Sequence, residues 1–527
     1  MLTPSLEKLR AEIEGYARDY GLDFFPTIFE MIDYKMISEI AAYGGFPTRY
    51  PHWRFGMEFD GLNKGFIYGG SRIYEMVINN DPCYAYLLTS NPEFDQKTVI
   101  AHVFAHCDFF KNNMWFAATN RKMMDEMANH SARIRRYIDK YGIDVVEDFL
   151  DVALSLENLI DPYEAVTMPK KVNQQTEEEK EEESKQTKNN ENNAGQKKDV
   201  PKLKVEKKYM ERYINPDEFV DKQKEKVEVE KKIEEERFPP KPVRDVLSFL
   251  IEHAPLKNWQ RDVLSIVQEE AYYMAPQWMT KILNEGWATY WHSKIMTQKA
   301  MTDSELIGYA EHHSGVVATG GGGLNPYKIG LELLRDIENR WNKGRFGREY
   351  EECDNMYDKH NWDKKLGLGR EKIFEIRKHY NDITFIDEFL TAEFCDEHKL
   401  FTFGYNKPRN RWEIMSKEFE DIKQQLLSNL TNAGNPFIYV VEANYMNRGE
   451  LMLQHKFEGV ELRMDHAKAT LGNLQKVWDR PVNLLTVAGE KPVILRYDGN
   501  HWSQQELAIS KEDQEAIDEN NKADQRP

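Results

Sequence analysis

The alternation of apolar and polar residues divides the chain into two helical regions, a charged stretch between them and a mixed carboxy-terminal part. Residues 5–20 carry apolar side chains at helical spacing, which predicts an amphipathic helix. A second apolar-rich stretch begins at Asn91 and Pro92 and ends near Asn113. Because asparagine is a favoured cap and proline is favoured in the first helical turn, this stretch predicts a helix.

Shorter apolar runs in the first hundred residues are harder to interpret. Residues 27–43 follow Pro26 and carry a pattern that predicts a further helix. The runs at 66–69 and 85–88 are short and rich in aromatic or branched residues, which is typical of strands. The order of these elements is not predicted by the pattern.

The second half of the chain changes character near residue 384. Before it, residues 243–253, 259–274 and 327–341 predict helices. After it, four apolar runs predict strands and residues 463–478 predict an amphipathic helix. The expected fold class is therefore α+β, with a predominantly helical core. The predicted divisions are a first half of the core (1–168), a charged insertion (169–236), a second half of the core (237–383), a small α/β module (384–510) and a flexible tail (511–527).

The charged stretch, residues 169–236, consists largely of Lys, Glu, Gln and Asn. Such a composition cannot bury enough apolar surface to offset its conformational entropy, so disorder is expected. Two motifs with matching chemistry lie on opposite sides of this stretch and must meet in space. It is therefore predicted to be an insertion within one core.

Composition restricts the class of protein. The 527 residues include 71 basic and 89 acidic ones, with a net charge of −18, which argues against binding nucleic acid or anionic membranes by bulk electrostatics. No apolar stretch approaches the ~18 residues of a membrane span, and the amino terminus lacks a signal pattern. Four cysteines without a C-x-x-C pair suit a reduced compartment. A cytoplasmic protein without membrane insertion is expected.

The first candidate motif is A-H-V-F-A-H at residues 101–106. On a helix, His102 and His106 stand one turn apart on the same face and can bind one ion. The alternative is a pair of hydrogen-bonded core histidines. A matching glutamate motif elsewhere in the chain favours a metal.

That second motif is L-N-E-G-W-A at residues 283–288. It resembles the second zinc-binding helix of gluzincin metallopeptidases, which implies a zincin-like core in which Glu285 completes a site begun by two histidines. His292, seven residues later on the same face, is a candidate fourth ligand or a neighbour of the ligands. Zinc is the expected metal, although another divalent ion is possible. In gluzincins the general base follows the first histidine, and that position is Val103 here.

Two acids offer a replacement for the missing base. Glu269 and Glu270 lead directly toward the helix of Glu285, so one of them could be buried beside the metal. The alternative is an ordinary solvated face. Tyr327 is a candidate proton donor by analogy alone.

Four long motifs in order give a resemblance that covers nearly all of the regions expected to be ordered. Residues 101–113, 259–270, 281–292 and 324–330 resemble the stage V sporulation protein R (SpoVR) family. The resemblance implies a bacterial cytoplasmic protein associated with spore cortex formation or stress physiology, working alongside a PrkA-type serine kinase and a YhbH-like partner. His312 and His313 fall outside the motifs expected of the family, so they are disfavoured as metal ligands.

Two functions remain open. The first is a zincin-like metal-dependent hydrolase of peptide or amide bonds. The second is a non-catalytic regulatory or scaffold protein in which the same residues hold a structural metal or none. A carboxylate-bridged di-iron site is disfavoured because it needs paired E-x-x-H motifs. The oligomeric state and the substrate are not predicted.

Overall fold

The computed structural model describes residues 2–67, 73–164, 237–318, 324–406, 409–489 and 491–507. Within these ranges the chain forms two compact units. Unit 1 comprises residues 1–162 and 257–436, and unit 2 comprises residues 163–256 and 437–527. The fold is mixed α+β and mostly helical, which confirms the predicted fold class at that level.

Unit 1 contains most of the helices. The helices before the charged stretch are α1 (Pro4–Asp19), α2 (Tyr34–Ala42), α3 (Trp53–Ile67), α4 (Glu93–Asn112), α5 (Met114–Ala117), α6 (Met123–Tyr141) and α7 (Ile143–Ser155). After that stretch, unit 2 contributes α8 (Val246–His253). Unit 1 then continues with α9 (Asn258–Met279), α10 (Lys281–Ile295), α11 (Leu306–Val316), α12 (Pro326–Lys343), α13 (Arg348–Glu351), α14 (Met356–His360), α15 (Gly369–His379), α16 (Asp382–Phe389), α17 (Ala392–His398) and α18 (Phe419–Leu430).

The strands of unit 1 form two small sheets. Three strands pair in the order β1-β3-β2, with β1 parallel and β2 antiparallel to the central β3. They are β1 (Thr27–Ile32), β2 (Glu75–Ile78) and β3 (Cys83–Leu88). A separate antiparallel pair follows later in the chain, formed by β4 (Thr402–Asn406) and β5 (Arg411–Ser416).

Two helices lie at the centre of unit 1. Every residue of α4 from Asp95 to Phe110 is buried, and so is nearly all of α10. A helix that is buried on all sides must bury its polar residues too, and those residues then need partners. The histidines and acids of both motifs are therefore held in the protein interior.

The crossing of α10 and α12 depends on two glycines. A Cβ on Gly286 would lie 2.4 Å from the backbone of Gly330, and one on Gly330 would lie 2.2 Å from the carbonyl oxygen of Ile282. Both distances are shorter than any real contact, so a side chain at either position would push the helices apart. This close approach explains the glycine that follows Glu285, and it brings Tyr327 of α12 next to that carboxylate.

Unit 2 is built on a five-stranded sheet in the order β10-β9-β8-β7-β6. The pair β7/β8 is parallel and the other pairs are antiparallel. The strands are β6 (Phe437–Tyr445), β7 (Glu450–Lys456), β8 (Val482–Ala488), β9 (Lys491–Tyr497) and β10 (Trp502–Glu506). Helix α19 (Met464–Trp478) packs on this sheet. The strand and helix predictions for this region are confirmed.

Several local predictions differ from the structure. Residues 27–32 are strand β1 rather than helix, and residues 66–67 end helix α3 rather than forming a strand. The module expected from residue 384 begins at 437, because α16 to α18 pack against the core of unit 1. The predicted insertion at 169–236 and the tail at 511–527 lie outside the described residues. Among the described helices, none is long and apolar enough to span a membrane.

Candidate metal centre

The paired histidines of α4 face each other inside unit 1. The Nε2 atoms of His102 and His106 are 2.9 Å apart, and the two rings stand nearly perpendicular at 88°. This is the arrangement expected of residues one helical turn apart that point at a common position. Both side chains are less than one-tenth exposed.

Glu285 of α10 supplies the third atom at this position. Its Oε2 lies 3.5 Å from Nε2 of His102 and 3.4 Å from Nε2 of His106. A circle through the three atoms has a radius of about 1.9 Å, slightly below the ~2.0–2.1 Å of a zinc–nitrogen bond, so one ion can reach all three. Oε2 is buried and has no hydrogen-bond donor. The three side chains therefore fit a small divalent cation.

The outer nitrogen of His106 fixes how that ring presents itself. Its Nδ1 is 2.9 Å from Oδ1 of Asn284, which can only accept a hydrogen bond. His106 therefore donates from Nδ1, and in its neutral form the ring turns its Nε2 lone pair toward the shared position. Metal-binding histidines commonly donate their second nitrogen in this way.

His292 holds the other ring from behind. Its Nδ1 lies 3.0 Å from Nδ1 of His102, on the side away from the shared position. Burial, and next the neighbouring His102, lower the pKa of His292 well below its usual range, so it is neutral and can accept this hydrogen bond. His292 thus contacts the candidate ligand His102 rather than the shared position. This geometry corresponds to the second of its two predicted roles, that of a neighbour of the ligands.

Glu285 and His106 shift each other's pKa values. Burial raises the pKa of Glu285, but the positive character of His106 and the histidine contacts outweigh burial and hold that pKa well below its usual range. Burial lowers the pKa of His106, but the negative charge of Glu285 raises it by more than burial lowers it. The net shift of the His106 pKa is therefore upward. The second oxygen of Glu285, Oε1, accepts from Lys281 Nζ at 2.5 Å. The carboxylate is thereby held ionised with Oε2 free.

The start of α10 is fixed by a buried acid from α16. Asp382 accepts hydrogen bonds from the backbone N–H groups of Ile282 and Leu283 at 2.7 and 2.8 Å. These are donors of the first helical turn that have no partner within the helix. Burial raises the pKa of Asp382 to about 7. Asp382 therefore anchors the helix one turn before Glu285.

Glu75 is a member of the group that sequence reasoning missed. It begins β2, and its Oε1 lies 3.9 Å from Nε2 of His102. Burial raises the pKa of Glu75. An isolated acid at the start of the apolar run E-M-V-I was the available signal, but no sequence spacing connects it to His102.

Tyr327, the candidate proton donor, lies next to this group. Its ring lies 6.4 Å from that of His102, and its hydroxyl interacts with Glu285. Burial, followed by the charges of Glu285 and Glu75, raises the pKa of Tyr327, so it keeps its proton at neutral pH. The side chain of Glu75 is 22 % exposed and that of Lys281 is 55 % exposed, which identifies the accessible side of the group.

Comparison with known protein families assigns the chain. The family described as SpoVR like protein matches residues 2–435, and the SpoVR-like C-terminal domain matches residues 436–489. The chain belongs to the SpoVR family. The first match ends one residue before the carboxy-terminal end of unit 1 at 436, and it also includes residues 163–256 of unit 2. Among curated proteins, the uncharacterized protein YcgB of Escherichia coli (strain K12) is 28% identical over 450 residues, which cover 82% of this chain and 80% of YcgB. No solved structure matches the chain.

The predicted bases of this SpoVR-family protein lie in another cluster. Glu269 and Glu270 of α9 are 3.2 Å from Nε2 and Nδ1 of His130, and Glu270 also forms an ion pair with Arg49. The structure thus brings both acids to His130 rather than to His102. The direction of a side chain on a helix changes by about 100° with each position. The closeness of α9 to α10 along the chain therefore does not make these acids point at the candidate metal ligands.

His312 and His313 of this SpoVR-family protein lie closer to the centre than the motif pattern indicated. The ring of His313 is 5.7 Å from that of His292, and its Nδ1 is buried without a partner. His312 hydrogen-bonds Asp95 and packs 4.7 Å from Tyr74. Neither belongs to the triad of ligand atoms, so both surround the centre without completing it.

Proposed function

We propose that this SpoVR-family protein is a metal-dependent hydrolase of amide or peptide bonds. The observation that carries the proposal is the convergence of three buried ligand atoms, from His102, His106 and Glu285, on one position beside a further carboxylate and a tyrosine. Two imidazoles and one carboxylate are the protein ligands of many catalytic zinc sites, which keep a further position for water.

His102, His106 and Glu285 would hold zinc, which when bound would supply Lewis acidity for polarising a carbonyl and for lowering the pKa of water to ~7. The chain supplies the remaining groups. Asn284 and His292 hold the two rings with their Nε2 atoms directed inward. Lys281 occupies the other oxygen of Glu285, so that carboxylate offers Oε2 alone.

Glu75 is our candidate for the general base that Val103 cannot provide. Its carboxylate approaches from β2, a different element from both ligand helices, and lies on the accessible side of the group. Burial raises the pKa of the Glu75 carboxyl group toward neutral pH. A general base works best when its pKa lies near the pH at which the enzyme operates. This proposal replaces Glu269 and Glu270, whose carboxylates contact His130.

Tyr327 completes the proposed machinery as a hydrogen-bond donor. Its hydroxyl keeps its proton at neutral pH because burial and two nearby carboxylates oppose ionisation. A fixed donor at this position can stabilise the negative charge that develops on a carbonyl oxygen during amide hydrolysis.

The proposal is tested by hydrolysis assays on zinc-loaded full-length protein with small aryl amides and a quenched-fluorescence peptide library. Glu75→Gln should retain one equivalent of zinc and lower kcat by about 10²–10⁴-fold, the usual contribution of a general base. Glu285→Gln should lose both zinc and activity. Glu338→Gln, which removes a partly buried ion-pair partner of Lys294 elsewhere in unit 1, is the matched control and should behave like the wild type.

Two results would reject a hydrolase. One is a zinc-loaded wild type that turns over no substrate of either set, and the other is a Glu75→Gln variant as active as the wild type. A metal-free, well-folded wild type after incubation with zinc would also reject the centre itself.

The second candidate function is a regulatory or scaffold protein with a structural metal. The observation in its favour is the burial of the three ligands together with the loss of the usual base at Val103. Tightly bound zinc without turnover would support this candidate. A role in spore cortex formation or stress, and partnership with a PrkA-type kinase and a YhbH-like protein, stay predictions that rest on family resemblance.

A further inference from the structure

A cavity of about 520 Å³ lies beside the first turns of α12, bounded by α17, the segment that follows it and α18. Its volume falls in the range of ordinary small-molecule sites. The walls are mainly apolar side chains contributed by all of these elements. The apolar lining includes Ile329, Phe394, Leu400, Phe403, Ile422 and Leu426.

The charged groups at the cavity are mostly positive. Lys328 and Lys399 both line it, and in the described parts of the chain neither ammonium group has an ion-pair partner. The carboxylate at the cavity, that of Glu332, is already paired with Arg335 at 3.0 Å. An apolar chamber with two uncompensated cations favours a ligand that is itself apolar with one negative end.

We propose that this cavity binds a single amphiphilic monoanion of the fatty-carboxylate class. The apolar chain lies against Ile422, Leu426 and Phe394, and the carboxylate lies near Lys328 and Lys399. The cavity lining contains no arginine for bidentate recognition of a phosphate, and a volume of about 520 Å³ suits a lipid-sized molecule better than a helix of a partner protein.

This site is separate from the proposed metal centre. Tyr327 reaches the metal centre, and Lys328 lines the cavity. Consecutive helical residues point about 100° apart, so the same turn of α12 can serve both places. The cavity proposal does not rest on metal binding or hydrolysis.

The test is calorimetric titration of the full-length protein with decanoate, well below the concentration at which it aggregates. Decan-1-ol and decyltrimethylammonium are the neutral and cationic probes. We expect one decanoate per chain, and weaker binding of both other probes by at least about fivefold, since they lack the attraction to the two lysines.

Three variants locate the site. Leu426→Trp fills the chamber and should weaken decanoate binding at least about tenfold. Lys328→Gln should weaken it about fivefold while leaving decan-1-ol binding unchanged. Lys343→Gln, at the other end of α12 and outside the cavity lining, is the control and should bind like the wild type. Circular dichroism of each variant shows that the fold is retained.

Several outcomes would overturn the proposal. They are no saturable binding of decanoate, equal binding of decan-1-ol, or binding unaffected by both Leu426→Trp and Lys328→Gln in folded protein. Because zinc content and hydrolysis are measured independently, failure here leaves the proposed function standing, and the reverse also holds.

Discussion

Unit 1 contains two groups that each combine a buried histidine with glutamate, and the charges within the two groups are balanced in different ways. Around His130, the ring places Nδ1 3.2 Å from Glu270 and Nε2 3.2 Å from Glu269. Arg49 adds a second cation at 2.5 Å from Glu270, and Tyr50 donates to the same oxygen at 3.1 Å. Each carboxylate there meets a donor, and the group provides its own positive charge.

The group around His102 has the opposite arrangement. Its two Nε2 atoms face each other and the buried Oε2 of Glu285, which has no hydrogen-bond donor. Nitrogen lone pairs and a carboxylate oxygen directed at one position are unfavourable unless a cation or shared protons lie between them. Oxygen and nitrogen atoms close enough to bind an ion occur in both groups, so proximity alone does not separate them. The direction of the donors does.

Among the changes that test this difference between the two groups, Glu270→Gln should have the largest effect on the free energy of unfolding. This change leaves Arg49 and His130 as buried cations without their shared carboxylate, and breaking such a pair typically costs about 3–5 kcal/mol. The free energy of unfolding, measured by urea denaturation, should fall by that amount equally with zinc and with chelator. Glu252→Gln, on an exposed side chain, is the control. A loss below about 1 kcal/mol would show that the cluster is not the self-balanced structural group described above.

Zinc should act on one cluster and not on the other. A ligand that binds the folded state alone adds about 2.7 kcal/mol of stability at a free concentration of 100 Kd. We expect this gain in the wild type and in His130→Gln, and no gain in His106→Ala, when thermal unfolding is followed at fixed free zinc. His455→Ala, at a buried histidine of unit 2, controls for histidine removal. Equal zinc stabilisation of His106→Ala and the wild type would contradict the metal centre.

One pH-dependent contribution to stability should come from the His130 group. Burial lowers the pKa of His130, but the hydrogen bonds that its ring donates to Glu269 and Glu270 raise the pKa more, to about 9. Since the folded pKa lies above the unfolded value of ~6.5, the stabilisation is fully present below pH ~6.5 and is lost as pH rises through 9. After allowance for solvent screening, this contribution is about 2 kcal/mol.

The measurement is the unfolding free energy of wild type and His130→Gln in chelator at intervals from pH 6 to pH 10. The difference between the two proteins should shrink across this range. Tyr50 does not interfere, because its pKa is raised above this range by burial and by Glu270. A difference that stays constant or grows with pH would refute the assignment of His130 as an imidazolium.

The sequence predicted the parts of the fold and site that repeat locally. Histidines one helical turn apart and a glutamate motif were recognisable because helix geometry fixes which side chains share a face. The sequence predicts a helix where strand β1 lies. The secondary structure of a six-residue run with mixed spacing is ambiguous from sequence alone, and here it is decided by pairing with strand β3.

The remaining site residues depend on tertiary contacts that no spacing encodes. Glu75 comes from a strand 27 residues before His102, and Asp382 from a helix about 100 residues after Ile282. Conversely, Glu269 and Glu270 looked suitable because of chain proximity to α10, yet their side chains meet His130. Sequence proximity to a ligand helix is therefore weaker guidance than the face that a residue occupies.

The smallest effect, and the most specific for the inward-facing group, is expected from Asn284→Ala. The amide oxygen of Asn284 accepts from Nδ1 of His106 at 2.9 Å and so keeps the Nε2 lone pair directed at the shared position. Loss of such a partner typically lowers metal affinity 10–100-fold, and we expect a change of about tenfold here. Competition with a chromogenic chelator measures this change. Asn284→Asp, which restores an acceptor, should recover the affinity, whereas loss of a purely structural contact would not be rescued. An Asn284→Ala variant that binds zinc as tightly as the wild type would show that the tautomer of His106 is not set by this contact, and would remove the feature that distinguishes this cluster from the one at His130.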